Sequence, residues 1–185
     1  TAYRRQRQMC IRDSLYMNAF EGEGSTFFTE QRRRGERFRS GAEIDDGEWG
    51  HIALRSVRQG GATVPWRFVQ PDDGPATDHT VVRLDLPEAV APGASTILDM
   101  AFSTQLPRVI ARTGYYGSFH LAAQWFPKIA VLELPGERGA SAPRWNAHEF
   151  HMESEFYADF GSYDVSLTVP KGYTVAVSYT HLRAH

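Results

Sequence analysis

The chain lacks most of the patterns by which an enzyme is recognised from its sequence. One cysteine, Cys10, stands among its 185 residues, which excludes an intrachain disulfide and a zinc site built on several thiolates. No apolar run approaches the roughly 18 residues that predict a membrane span. Ser118 has no Gly-x-Ser-x-Gly elbow around it, and Gly22 and Gly24 do not extend to a phosphate-binding fingerprint. These absences argue against a disulfide scaffold, a serine hydrolase and a nucleotide-binding fold.

Charge is nearly balanced, with 20 lysines and arginines against 22 aspartates and glutamates. Residues 31–40 are the most basic stretch and hold five arginines, with Glu30 and Glu36 interleaved. A nucleic-acid site would need a wider basic surface on a recognisable binding fold. We therefore predict a solvated loop or a short helix here, and no nucleic-acid partner.

Both ends of the chain differ in character from its middle. Residues 4–14 (RRQRQMCIRDS) and 177–185 (VSYTHLRAH) resemble translated sequencing-adapter read-through. A basic arm at the start, and an edge strand with a polar end at the finish, are the natural alternatives. Because both peptides occur together, we predict that residues 1–14 and 177–185 are artefacts and that residues 15–176 form one domain.

Apolar and polar residues alternate along several stretches of the middle of the chain. Period-two alternation with β-branched and aromatic residues is typical of half-buried antiparallel strands. Gly and Pro clusters that favour turns separate the stretches, as at residues 71–75, 92–93, 135–136 and 170–172. The pattern predicts an all-β fold, an antiparallel, saddle-like β-sandwich. The alternating positions are Ile52 and Leu54; Trp66 and Phe68; Val82, Leu84 and Leu86; Leu98, Met100 and Phe102; and Tyr163, Val165, Leu167 and Val169.

The sequence His148-Glu149-Phe150-His151 comes close to a zinc-peptidase motif. His-Glu-x-x-His places two histidines four residues apart on one face of a helix, so that both reach one zinc ion. Here the histidines are three apart in a stretch that reads as strand or loop, and an odd spacing on a strand sends side chains to opposite faces. We expect polar residues in a loop between strands, and no zinc site.

Other candidate metal ligands are scattered along the chain. His51, His79 and His120 are isolated from one another in the sequence. A calcium site would need several carboxylate and carbonyl oxygens, but the Asp-Asp-Gly sequence is ordinary turn chemistry. We therefore predict neither a metal ligand nor a catalytic residue in this chain. The aspartates considered were Asp72, Asp73, Asp78 and Asp85.

Two dense aromatic blocks lie in the second half of the chain. Residues 124–128 read Gln-Trp-Phe-Pro-Lys, and residues 154–172 begin Ser-Glu-Phe-Tyr-Ala-Asp-Phe-Gly. With residues 15–20, 25–27 and 112–117, these blocks resemble the N-terminal domain of gluzincin zinc aminopeptidases. That is the family of membrane alanyl aminopeptidase and leukotriene hydrolase, and the resemblance is to its bacterial members.

The resemblance implies a substrate-side β domain that precedes a thermolysin-like catalytic domain. In that family a glutamine of the N-terminal domain contacts the first residue of the peptide substrate, and Gln124 is the best match to it. A buried amide that bonds neighbouring strand ends is the alternative role for Gln124. The family's Gly-x-Met-x-Asn strand and zinc helix are absent, so zinc is expected only in a missing C-terminal catalytic domain. The fragment alone is then expected to be inactive.

A non-catalytic β-sandwich remains the alternative, either as a module that binds carbohydrate or protein or as a scaffold whose catalytic domain has lost its zinc motif. The exposure of four aromatic side chains distinguishes the two interpretations. Buried rings favour an enzyme domain, whereas a coplanar exposed row favours ligand binding. The four are Trp66, Trp125, Trp145 and Tyr157.

Overall fold

The two largest sheets of the fold are antiparallel and share one main apolar core. A computed structural model describes residues 8–35, 44–108, 112–176 and 183–184. A 3-10 helix covers Tyr16–Phe20, and helix α1 covers Thr26–Arg33. The strands in the described residues are β1 Gln8–Ser14, β2 His51–Gln59, β3 Ala62–Thr63, β4 Trp66–Phe68, β5 Val81–Val90, β6 Leu98–Gln105, β7 Gly114–Tyr116, β8 Phe119–Leu121, β9 Lys128–Ile129, β10 Val131–Glu133, β11 Arg144–Asn146, β12 Ser166–Leu167 and β13 Arg183–Ala184.

The first sheet has the strand order β4-β5-β1-β9 and is antiparallel throughout. Along β5, Val82, Leu84 and Leu86 are buried, and the residues between and after them are more exposed. This is the alternation that the sequence predicted for a half-buried strand. The buried side chains of β5 form one face of the main core.

The second sheet has the order β3-β2-β6, with His51 of β2 paired to Gln105 of β6. The register shifts between Leu54 and Ser56, as at a β-bulge. Ile52 and Val57 of β2 are buried in the same core as Leu84 of β5. Because the two sheets share one core, the predicted all-β, sandwich-like fold is confirmed.

The segment between β1 and α1 fills the space between the sheets. Leu15, Met17 and Phe20 are almost fully buried. The Asn18 side chain joins both sheets, since its Oδ1 accepts from the Ile52 backbone N–H at 2.6 Å and its Nδ2 donates to the His79 carbonyl at 2.9 Å. Pairing its polar groups in this way lets an amide lie in the core without an unsatisfied donor or acceptor.

Helix α1 was not predicted as such from the apolar pattern. Ser25 caps its N-terminus, where the side-chain Oγ accepts from the Phe28 backbone N–H at 3.3 Å. Only Phe27 and Phe28 supply apolar contacts in eight residues, too few to show a helical period. The loop or short helix that was predicted for residues 31–40 is confirmed as far as residue 35. Residues 36–40 lie outside the described part of the chain.

Most predicted strands and turns are confirmed, but the last predicted strand is wrong. Of the alternating residues 163–169, only Ser166–Leu167 forms a strand, paired in parallel with Arg183–Ala184. Tyr163 and Val169 are exposed. An isolated two-strand pairing is marginal in water, and alternation alone does not supply a partner for the backbone hydrogen bonds.

Strand β1 comes from a stretch that the sequence argument set aside as an artefact. Residues 8–14 nevertheless form an inner strand of the first sheet, with Ser14 paired to Val81 and Asp13 to Ile129. The fold therefore uses residues 8–14 as a strand, and that residues 1–14 are an artefact stays a prediction. At the other end, residues 177–182 and 185 lie outside the described residues.

None of the helices in the described ranges has the length and the apolar character needed to cross a bilayer.

Candidate functional site

A cleft of about 430 Å³ opens beside the loop that joins β8 to β9. We call it the Gln124 cleft. One wall comes from residues 124–128 and the other from residues 156–163. The lining residues are Gln124, Lys128, Phe156, Tyr157, Ala158, Asp159, Phe160, Gly161 and Tyr163.

Gln124 occupies an unusual backbone position in the first wall. Its φ is 57°, in the left-handed region that non-glycine residues seldom adopt. The next residue fixes the loop, because the Trp125 carbonyl accepts from the Thr104 hydroxyl at 2.6 Å and the Trp125 ring packs on Phe102 with centroids 6.1 Å apart. Such positions persist only where the surrounding structure holds them, and they concentrate at functional sites.

The amide oxygen of Gln124 is one of four buried side-chain oxygens in the described residues that have no hydrogen-bond partner. Oε1 is buried and accepts no hydrogen bond. A buried acceptor without a donor costs on the order of 1–3 kcal/mol, and a ligand N–H could recover that free energy. Thus the structure brings the one residue predicted to bind substrate to a cleft, with its acceptor unused.

The second wall is fixed to the core at Tyr157 and Phe156. The Tyr16 hydroxyl donates to the Tyr157 carbonyl at 2.7 Å and accepts from the Tyr157 N–H at 3.0 Å. Phe156 stacks on Phe150 with centroids 4.6 Å apart. The Tyr157 hydroxyl is itself buried without a hydrogen-bond partner. This wall was recognised in the sequence only as an aromatic block, which did not indicate that Tyr157 would line a cleft.

Two charged side chains also line the Gln124 cleft. Lys128 is half-buried, and burial lowers the pKa of its ammonium group. The same ammonium lies 5.3 Å from the centre of the Phe126 ring, within the range of a cation–π contact. Asp159 is an exposed carboxylate. The residues that line the cleft therefore carry an amide, a phenol, an ammonium and a carboxylate group.

A second polar site lies away from this cleft, between the loop before β5 and the segment after β11. One ligand atom from each of Asp72, Glu149 and His151 lies within 4.8 Å of the others. We call these three residues the Asp72 cluster. His151 Nε2 lies 3.1 Å from Asp72 Oδ2, and His148 Nδ1 lies 2.8 Å from Asp72 Oδ1. The two histidines therefore converge on one carboxylate.

The carboxylates of the Asp72 cluster have opposite environments. Burial raises the pKa of Glu149, which accepts from the backbone N–H groups of Asp72 at 2.8 Å and Gly74 at 3.1 Å. Burial also acts to raise the pKa of Asp72, but hydrogen bonds from His148 and His151 outweigh it and lower that pKa. The cluster thus combines one carboxylate that is held ionised with one whose charge is disfavoured.

The predicted loop around residues 148–151 is confirmed, but the expected separation of the histidines is not. Strand geometry would send His148 and His151 to opposite faces. In a loop neither the helical nor the strand rule applies, and both rings turn to Asp72. The turn that carries Asp72 is far away in the sequence, so no local pattern could have joined it to these histidines.

Two other candidate aspartates have structural partners. Asp78 accepts from the Thr26 N–H at 2.8 Å and from the Thr80 N–H at 2.9 Å. Asp85 pairs with Arg67 and Arg83. Among the residues that the structure describes, the Asp72 cluster is the only group with the geometry of a metal site.

Three of the four aromatic residues chosen to distinguish the functions are partly buried. Trp125 and Trp145 pack against the main core, and Tyr157 is held at its backbone by Tyr16. Trp66, 37% exposed, is the exception, and its ring meets Phe68 edge to face. This distribution does not make an exposed row, and so it favours packing over an aromatic binding platform.

Comparison with protein-family models, with curated proteins and with solved structures finds no match to this chain.

Proposed function

We propose that this chain is the substrate-side domain of a zinc-dependent metallopeptidase that removes N-terminal residues from peptides. In this proposal the Gln124 cleft receives the free N-terminus of the substrate. The observation that carries it is that Gln124 lines the cleft while its amide oxygen is buried without a hydrogen-bond partner. The resemblance of residues 124–128 to the aminopeptidase family pointed to the same residue.

The chemistry of an amide suits recognition of a peptide amine. Oε1 can accept a hydrogen bond from the α-ammonium group, and the NH₂ group of the same side chain can donate to a carbonyl. The carboxylate of Asp159, which also lines the cleft, adds attraction for a positive charge. Lys128 opposes it, although burial lowers the pKa of Lys128 and so weakens its hold on a proton.

Peptide hydrolysis itself is assigned to a catalytic domain beyond this chain. The family's zinc helix needs histidines four residues apart, and His148 and His151 are three apart in a loop. These residues do not fit that catalytic zinc, so no hydrolytic step is derived from them. The missing C-terminal domain and the peptide are the expected partners, and the domain alone is expected to be inactive.

The decisive experiment is to recover the unbroken gene and read it past residue 176. Gly-x-Met-x-Asn followed by His-Glu-x-x-His and a distal glutamate would support the proposal. A stop codon or an unrelated domain would contradict it.

A kinetic experiment on the unbroken enzyme tests the role of Gln124. Gln124→Ala removes one hydrogen bond of about 1.5 kcal/mol, so kcat/KM should fall roughly tenfold on peptides with a free N-terminus. Ser162→Ala is the matched control, because Ser162 is an exposed residue of the second wall that does not line the cleft. Unchanged kinetics for Gln124→Ala would remove Gln124 from substrate binding.

A non-catalytic binding module is the second candidate function. The exposed apolar side chains of the β7–β8 hairpin favour it, since Tyr116, Phe119 and Leu121 are all exposed there. The His120 ring lies 5.7 Å from that of Tyr173, so the hairpin contacts the turn that follows β12. If the gene lacks a catalytic domain, binding through this hairpin becomes the leading interpretation.

A further inference from the structure

We propose that Asp72, Glu149 and His151 bind a divalent transition-metal ion, and that the ion holds three separate segments together. The segments are the loop before β5, the segment after β11 and helix α1. This site is separate from the Gln124 cleft and does not depend on the peptidase proposal.

The geometry of His151 is that of a metal-binding histidine. Its Nδ1 lies 2.7 Å from Oε1 of Glu30 on α1, and its Nε2 faces Oδ2 of Asp72 at 3.1 Å. A histidine ligand ordinarily donates its second ring N–H to a carboxylate, which fixes the tautomer and the orientation of the ring. Glu30 is in turn fixed by the Met152 backbone N–H, which donates to Oε2 at 3.0 Å.

The charges of the Asp72 cluster favour the binding of a cation. Glu149 is 2% exposed, and in the described residues no lysine or arginine forms an ion pair with Glu149 or Asp72. Asp72 faces the rings of His148 and His151, whereas Glu149, the second carboxylate of the cluster, forms no ion pair with either histidine in the described residues. Two neighbouring carboxylates repel each other, and burying a charge without a partner is costly. A divalent ion would neutralise both.

An unused hydroxyl provides independent support for a ligand at this place. Thr26 is 5% exposed, and its Oγ1 is buried without a hydrogen-bond partner. That oxygen and Oε1 of Glu149 would lie 2.5 and 2.8 Å from a Cβ placed on Gly74. Two oxygens thus converge on a space that remains open because residue 74 has no side chain, and Thr26 can complete the coordination directly or through a bound water.

The donor set favours zinc over calcium. Zinc accepts imidazole nitrogen together with carboxylate oxygen in four-coordinate sites, whereas calcium takes six to eight oxygen ligands. The cluster supplies one imidazole and two carboxylates, with Thr26 nearby as a fourth donor. Zinc is therefore the appropriate probe, and calcium is the comparison ion.

The test is calorimetric titration of the full 185-residue chain with ZnCl₂ at pH 7.5. One zinc per chain is expected, with Asp72→Asn and His151→Gln each weakening the affinity by about 100-fold or more, and Glu30→Gln by about 10- to 100-fold. Asp73→Asn is the matched control, because Asp73 is an exposed neighbour in the same turn and lies outside the cluster. Its affinity should equal that of the parent chain.

A stability measurement keeps the test decisive if a variant fails to fold. At a free zinc concentration about 100 times Kd, the Tm of the unaltered chain should rise by roughly 5–10 °C, and a chelator should reverse the rise. Absence of a one-to-one zinc complex in the unaltered chain would overturn the proposal. So would zinc affinity that is retained in both Asp72→Asn and His151→Gln, or calcium binding as tight as zinc binding.

Discussion

The first half of the chain and its C-terminal segment differ in how far they bury their apolar side chains. The packed body, residues 8–20 and 51–86, buries Leu15, Met17 and Leu84 almost completely. The C-terminal segment, residues 154–176, is richer in aromatic residues, yet Phe160 is fully exposed and one two-residue strand forms there. The two regions therefore do not differ in apolar content. They differ in how many of their apolar residues lie in paired strands.

In the described residues, the C-terminal segment joins the rest of the molecule through side-chain contacts and not through a strand of either main sheet. Tyr16 bonds the backbone of Tyr157 twice, and Phe156 stacks on Phe150. At the surface, Arg112 makes a two-pronged ion pair with Glu155. Substitutions in the body should therefore affect global unfolding, whereas those at the joining contacts should act on the segment.

The largest contrast is expected between Leu84→Ala and Phe160→Ala. Leu84 is fully buried in the core, and truncating such a residue leaves a cavity that lowers the free energy of unfolding by roughly 2–5 kcal/mol. Phe160 is exposed, so its truncation should change stability by less than about 0.5 kcal/mol. Chemical denaturation of both variants measures the difference, and similar losses would refute the division into two regions.

Asp13→Asn in β1 is expected to increase the stability of the fold, by an amount that depends on pH. Asp13 is 1% exposed, Oδ2 has no partner, and burial raises its pKa to about 7. Between pH 4 and pH 7 the unfolded chain releases this proton and the folded chain keeps it, so the stability of the wild type falls as pH rises through that window. The neutral variant escapes this loss, which is up to about 4 kcal/mol at pH 8.

Thermal unfolding of the wild type and Asp13→Asn at pH 4 and pH 8 checks that sign. The variant should be more stable than the wild type at pH 8 and close to it at pH 4. An equal difference at both pH values would mean that Asp13 keeps an ordinary pKa in the sheet.

A smaller and local effect is expected from Tyr16→Phe. The variant keeps the ring but removes both hydrogen bonds to Tyr157, at a cost of about 1–2 kcal/mol. Hydrogen exchange should accelerate around residues 156–160 more than in β5. Tyr173→Phe, at an exposed tyrosine, is the control, and equal acceleration in both variants would argue against a specific attachment at Tyr16.

The smallest effect is expected from Arg112→Gln. Both partners of the Arg112–Glu155 pair are mostly exposed, and exposed pairs contribute less than about 1 kcal/mol. The difference from the wild type in denaturant titration should vanish at 1 M salt, because the Debye length there is about 3 Å. A loss of stability above about 1 kcal/mol that persists at 1 M salt would contradict this prediction.

The sequence predicts the fold best where burial repeats along a strand. Val82, Leu84 and Leu86 were predicted as one buried face and are one. Residues 163–169 carry the same pattern, but in the part of the chain that the structure describes only Ser166–Leu167 has a paired strand. Helix α1 depends on the Ser25 cap and on two phenylalanines, a pattern too short to show a period.

The two candidate sites also differ in how far the sequence predicts them. Gln124 was reached through a resemblance, and the structure adds the cleft and the unused oxygen, which depend on long-range packing. The Asp72 cluster escaped prediction because its members come from a turn and a distant loop. The spacing of His148 and His151 was judged by helix and strand rules, and a loop obeys neither.

The position of β1 between β5 and β9 has a consequence for how the chain folds. After its synthesis, β1 has no partner in its sheet until residues 81–90 have emerged, and its other edge stays unpaired until residues 128–129 follow. Pairing across such sequence distances slows folding, and an unpaired strand is open to pairing with other chains meanwhile. The nascent chain is therefore most vulnerable to aggregation after β1 has been made and before β5 and β9 can pair with it.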